Sequence, residues 1–398
     1  MLPIHFQGYN QNAAKGALSY EKTAPATKIF PMTETANSPA TPLSALLLQE
    51  AAVGAEPDLT DYRGAKTPNQ LDAEEKEIAA LAFAAAVHDL GWLRRFTLRG
   101  EDRFRWLNGM VTNTVSDLAP NAGAWNLVLN AQGRIQGDLH VWRQGEELSL
   151  VIAADQTEKL LAHLERFIIM DDVELMPTDE TALGLSGPLA AELLERLGVP
   201  VPSQPMTSLR ATWNGQPLGV ARGYGALAPH YEFWMQPAQI PALWKALVEA
   251  GATPIGAAAL EAFRIAEAIP AYGIDIAERD LPQETSQMRT LHFSKGCYQG
   301  QEIVERIRSR GSVHRHLRSL ELFGAIPAAG SELTWEGSGA AGQITSAAQL
   351  PLAAGVRVFA LAMMRGEAAL RSQSFFYQAG EAAGTARILA APPNLEFC

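Results

Sequence analysis

From Trp125 to Ala153 the chain repeats with a period of two and reverses direction twice. Trp125, Leu127 and Leu129 alternate with Asn126 and Val128, and Ala131-Gln132-Gly133 supplies a turn. Ile135, Leu139 and Val141 line a second strand, and the RQGEE stretch at 143–147 turns the chain into Leu148–Ala153. Strand side chains alternate between faces, so this pattern dictates an antiparallel meander. Its apolar face needs cover, and the flanking segments supply helices. Thr41 and Pro42 open one as cap and first-turn residue. Residues 71–91, LDAEEKEIAALAFAAAVHDLG, read as a second helix, with Asp72 and Glu75 at capping-box spacing and Gly91 as the stop. Phe104, Leu107 and Val111 share a helical face, and Asp155 with Glu158 marks the start of another helix.

After Gly311 the texture changes to short strands divided by Gly and Pro, as in LRSLELFG (317–324) and VRVFALAMMRG (356–366). That is the pattern of a small β-barrel or sandwich. Residues 1–40, rich in Ala, Thr, Ser, Pro and Asn, read as a flexible tail. The fold class is therefore α+β. The expected divisions are 1–40, 41–310 and 311–398, and 398 residues suffice for two or three domains.

Several function classes drop out. A net charge of −11 argues against a broad nucleic-acid footprint and direct nucleic-acid binding. The two cysteines, Cys297 and Cys398, give no disulfide framework and suit a reducing compartment. They also fall short of the four thiolates an iron–sulfur cluster normally takes. No secretory pattern opens the chain and the longest apolar run, 78–87, is far too short for a membrane span, so a cytoplasmic protein without membrane contact is expected. Walker, dinucleotide, HExxH and GxSxG motifs are missing. His314 and His316 alternate on a strand without a third ligand, and no metal site is expected.

The stretch 294–311, SKGCYQGQEIVERIRSRG, combines glycines with the start of a helix. Gly296 and Gly300 permit tight turns, Ile303 and Ile307 share a face, and Gly311 ends the pattern. Lys295, Arg306, Arg308 and Arg310 concentrate positive charge beside a helix N-terminus, which suits an anionic ligand. A nearby lysine and a helix N-terminus both favour a thiolate at Cys297, while a small residue filling a crowded turn is the reading the residues alone favour.

Lys295–Glu302, KGCYQGQE, resembles the signature of the YgfZ family of folate-binding proteins, relatives of the glycine-cleavage T-protein. LRGEDRFRWLNGMVTNTV (98–115), NAQGRIQGDLHVWR (130–143), FRIAEAIPAYGIDI (263–276) and GQITSAAQLPLAAG (342–355) resemble further T-protein segments, so the likeness covers about 41–398. The resemblance implies three domains in a ring with a small C-terminal β-barrel and tetrahydrofolate as ligand. It implies a folate-binding accessory role in iron–sulfur cluster assembly or repair and, through it, in tRNA-modifying enzymes, with iron–sulfur enzymes or assembly proteins as partners. It places Cys297 and Lys295 as chemically active residues. Arg222, Tyr224, Asp138, Glu267, Tyr298, Gln301 and Glu302 are the implied folate contacts.

Three positions depart from the T-protein pattern. Its Arg-x-Glu-x-Gly phrase here reads Arg264-Ile265-Ala266-Glu267-Ala268, its aspartate pair reads Gly137-Asp138, and the segment around Arg222, Tyr224 and Glu232 lacks a Gly-Glu step. The remaining carboxylate, Asp138, can orient a ligand amine or face solvent beside a turn, and of these the solvent or structural role is the one expected. Two other functions stand beside the accessory role: a tetrahydrofolate-dependent aminomethyltransferase of the T-protein class, and a scaffold that has lost folate.

Overall fold

A computed structural model of the protein describes residues 38–51, 57–335, 338–353 and 355–395. Nearly all of the expected tail, and Cys398, lie outside them. The meander forms as its periodicity dictates: Gly123–Leu129, Ile135–Gln144 and Glu147–Ala153 pair in sequence order, and Leu93–Arg99 and Glu174–Pro177 extend them to a five-stranded sheet. A six-stranded sheet runs in the order Thr207–Trp213, Gln216–Arg222, His230–Met235, Thr181–Ser186, Ala86–Asp89, Thr253–Pro254. Six strands between Arg315 and Ile388 close into a barrel, which removes every unpaired edge. Separate apolar clusters fill the sheets and the barrel: Leu107, Leu139 and Leu150 in the first, Leu185, Phe233 and Leu243 in the second, and Leu320, Ile344 and Phe375 in the barrel.

The helix starts show where local signals win and where packing overrides them. Thr41 caps Pro42–Glu50, its hydroxyl accepting the Ser44 N–H at 3.1 Å. The expected helix over 71–91 is two elements, Glu74–Phe83 and the strand Ala86–Asp89. Asp72 makes no cap. The buried carboxylate of Glu77 instead pins the chain leading into the helix, accepting from Leu71 N at 2.6 Å, Asp72 N at 2.8 Å and Gly256 N at 3.1 Å. Asp155 does not cap Ala154–Glu165 either, because it pairs with Arg63 at 2.8 Å.

The helix Gln301–Arg310 begins where the glycine pattern places it. Gly300 has φ +80°, and a Cβ there would fall 2.7 Å from the Asn130 carbonyl oxygen. The signature glycine thus lets the helix dock on the turn of the meander's first hairpin. Ile303 fills the opposite gap, against Gly133. No helix among the described residues is long and apolar enough to cross a membrane.

Candidate functional site

A cavity of about 230 Å³ is lined from both sheets and from the segment 260–289. Asp138 and His140 come from the meander, Ser186, His230 and Glu232 from the six-stranded sheet, and Arg264, Glu267 and Arg289 from the last segment. Tyr62 and Arg63 close it from the hairpin Asp58–Gln70.

Asp138 is half-buried in this wall, which differs from the solvent-facing place expected for it. Trp125 Nε1 donates to its Oδ2 at 2.7 Å, and Gln156 Nε2 donates to Oδ1 at 2.9 Å. The Gln156 carbonyl in turn accepts the Asp138 backbone N–H at 3.0 Å. Two donors to two oxygens fix the carboxylate plane, and an ionised carboxylate keeps further lone pairs for a ligand.

Glu267 also lines the cavity, one residue beyond the Ala266 that the T-protein pattern would make a glutamate. Ala266 is fully buried in the core. Glu267 accepts the Leu227 N–H at 2.8 Å. Burial nonetheless pushes its carboxyl up from 4.5 to about 7. A raised folded-state value means that the stability it contributes is full below about pH 4.5 and is lost as pH rises through about 7. Glu267→Gln is expected to remove that decline, leaving the variant more stable than wild type by on the order of 2–3 kcal/mol at about pH 8, read from urea midpoints at acid and alkaline pH.

Ala268 stands where the pattern has Gly, and it takes φ +58°. A Cβ in the left-handed region costs roughly 1–2 kcal/mol. Ala268→Gly is expected to stabilise by up to about 1 kcal/mol after the entropy glycine loses on folding, seen as a higher melting temperature.

The third charged group is Arg289. Its guanidinium lies 3.4 Å from the Tyr224 ring centroid and 5.0 Å from that of Trp125, and its Nε is buried without an acceptor. Trp125 stacks in turn on His140 at 6.0 Å. Arg264 is tied by Glu261 and, at 2.7 Å, by Asp275, whose other oxygen accepts from Thr345 and Ser346 of the barrel at 2.6 Å each. The barrel thereby braces the cavity wall without lining it.

The expected site residues separate into two groups. Asp138, Tyr224 and Glu267 meet at the cavity. Arg222 lies beside it, donating to the Ser203 carbonyl at 2.7 Å. Lys295, Cys297, Tyr298, Gln301 and Glu302 are not among the lining residues. Cys297 is exposed. Lys295 is buried, and its ammonium donates to the carbonyls of Asn108 at 2.7 Å and of Val111 and Asn113 at 2.6 Å, with Tyr298's ring 5.0 Å away. Burial pushes it down to about 7, but three carbonyl acceptors require three donated protons, so the geometry holds the ammonium form. Gln301 accepts the Tyr298 N–H at 3.3 Å, closing the signature's own turn. Sequence reasoning missed Gln156, Ser186, His230 and Arg289 as cavity residues. They carry no motif: Ser186 and His230 come together through the six-stranded sheet, while Gln156 lies on the helix Ala154–Glu165 and Arg289 in the last segment. Among the described residues no cluster of His, Cys, Asp and Glu could hold a metal ion.

The model of the GCVT N-terminal domain family matches residues 49–295. An aminomethyltransferase of Rubrobacter xylanophilus is 30% identical over 313 residues, covering 76% of this chain and 82% of its own length. A chloroplastic putative transferase of Arabidopsis thaliana is 25% identical, over 69% of this chain and 64% of its own. The crystal structure of glycine cleavage system aminomethyltransferase T from Bartonella henselae superposes with a TM-score of 0.77 at 17% identity, over 90% of this chain and 99% of that one, which shows the shared fold. With its mixed helices and sheets and its closed six-stranded barrel, the chain belongs to the GCVT family.

Proposed function

We propose that the cavity binds tetrahydrofolate and that the chain is a tetrahydrofolate-dependent aminomethyltransferase. The observation that carries this reading is Asp138, whose carboxylate is held in the cavity wall by Trp125 and Gln156. The residues present fit the ligand. A pteridine is flat and carries an amino-substituted edge, and the cavity offers apolar surface at Leu81 and Phe263, carboxyl groups at Asp138 and Glu267, and a buried Arg289 N–H that lacks an acceptor. Glu267, protonated up to about pH 7, can donate as well as accept. When bound, tetrahydrofolate supplies the nitrogen that receives the one-carbon unit. Asp138 orients a donor amine by accepting its N–H, and the apolar walls at Leu81, Leu139 and Phe263 exclude water.

Purified protein given tetrahydrofolate and an aminomethyl donor is expected to form methylene-tetrahydrofolate, with ligand binding read from tryptophan fluorescence. Binding without turnover counts against transfer. No binding at millimolar ligand sinks the folate site and supports the scaffold.

A second reading rests on the intact Lys295–Glu302 signature and on the exposure of Cys297 outside the cavity lining. It makes the chain a YgfZ-type accessory protein for iron–sulfur cluster assembly or repair, with cluster-dependent enzymes, including tRNA-modifying ones, as partners. Both readings take 41–310 as the folate-binding region, 311–398 as the barrel domain and the cytoplasm as the location. On the second, deletion of the gene lowers cluster-dependent activities, wild type restores them and Cys297→Ala does not. Unchanged activities in the deletion strain eliminate it, and full complementation by Cys297→Ala makes the cysteine structural.

A further inference from the structure

The positive charge that follows the signature finds no use in the cavity. Residues 306–318, RIRSRGSVHRHLR, hold five arginines, two histidines and no carboxylate, in a chain of net charge −11. This run passes from the end of the helix Gln301–Arg310 into the first barrel strand, Arg315–Phe323. There it lines a groove of about 980 Å³ on the barrel. The end of the strand Gly355–Arg365, the short helix Gly366–Arg371 and residues 388–390 complete the lining.

Stability does not account for the charges in this groove. Arg315 and Arg365 sit directly opposite each other on paired strands, where like charges are unfavourable. Arg315 is neutralised by Asp280 at 2.7 Å and Glu284 at 2.9 Å. Arg365 has no ion-pair partner among the described residues, and neither have Arg306, Arg310 and Arg318. Arg365 is also the N-cap of Gly366–Arg371, the end of a helix that disfavours cations. Among the described residues the lining has a single carboxylate, Glu367, and Arg371 takes it at 2.9 Å.

The groove is not only basic. Leu370 is 88% exposed in its lining, and Ile388 and Leu389 add half-buried apolar surface. Arginine forks match carboxylates and phosphates alike. A nucleic acid would satisfy the charge, but the lining offers no Phe, Tyr or Trp on which bases could stack. A strongly acidic chain also repels a long polyanion. A short acidic peptide with an apolar side chain matches both the arginines and Leu370.

We propose that this groove docks an acidic segment of a partner protein, its carboxylates on Arg318 and Arg365 and an apolar side chain on Leu370. The proposal does not depend on what the cavity binds.

Fluorescence anisotropy of the full chain tests it, with a labelled peptide of about ten residues in which leucines interrupt glutamates as the probe. Affinity is expected to fall about tenfold or more between roughly 50 and 500 mM salt. Arg365→Glu is expected to weaken binding about tenfold yet to melt no lower than wild type, because it relieves the repulsion from Arg315. Adding Arg318→Glu is expected to abolish binding. Leu370→Ser is expected to cost about threefold with this peptide and nothing with an all-glutamate one. No binding at low salt overturns the proposal, as does binding that survives both charge reversals. Tighter binding of a single-stranded oligonucleotide of the same length overturns it too, by making the groove a nucleic-acid site.

Discussion

Asp138→Asn is expected to lower aminomethyl transfer by about 100-fold or more, the scale on which a positioned acid, base or charge-stabilising group acts. The reason lies in the two donors around it. Trp125 Nε1 and Gln156 Nε2 point at different oxygens of the carboxylate. An amide offers only one acceptor, so either orientation sets its NH₂ against an N–H donor. The variant therefore loses both the charge offered to a donor amine and the fixed plane, and it loses roughly 1–3 kcal/mol of stability as well. Turnover per folded molecule, with folded protein counted by thermal melt, separates the two effects. Wild-type turnover in the variant removes Asp138 from the chemistry and shifts the weight to the accessory reading.

Lys295→Met is expected to destabilise the protein by about 3 kcal/mol or more, lowering the melting temperature by roughly 3–5 °C. Lys295 is 8% exposed and ties the carbonyls of Asn108, Val111 and Asn113, where the helix Arg103–Met110 ends. Cations favour that end of a helix, and methionine has the stem but no donor. Three buried carbonyls then lose their partner at once. Should Lys295→Met melt with wild type yet lose activity, the lysine acts in chemistry and the structural account fails. Cys297, exposed two residues away, carries no comparable structural demand.

The contrast between these residues shows what a sequence exposes. The Gly300 turn, the helix from Gln301 and the Thr41 cap were legible because each rests on a local rule. The meander was legible from its period. The stretch 71–91 was misread because its alanines favour a helix, while burial between neighbouring strands makes Ala86–Asp89 extended. The clasp made by Glu77 could not be foreseen, since one of its three donors, Gly256, is distant in the chain. The cavity was half legible. Asp138 and Glu267 belong to phrases that resemble T-protein, although their departures suggested decay rather than a working wall. Ser186 and His230 lie far apart in sequence, and only the strand order unites them.

The barrel's contact with Asp275 couples that part of the chain to the cavity. Leu350, Phe359 and Leu361 of its strands are buried in one apolar cluster with Leu81 and Phe263 of the cavity lining. Thr345 and Ser346 are different, because their hydroxyls hold the carboxylate that holds Arg264. Two small polar residues on one strand thus bear on the geometry of a cavity they never touch.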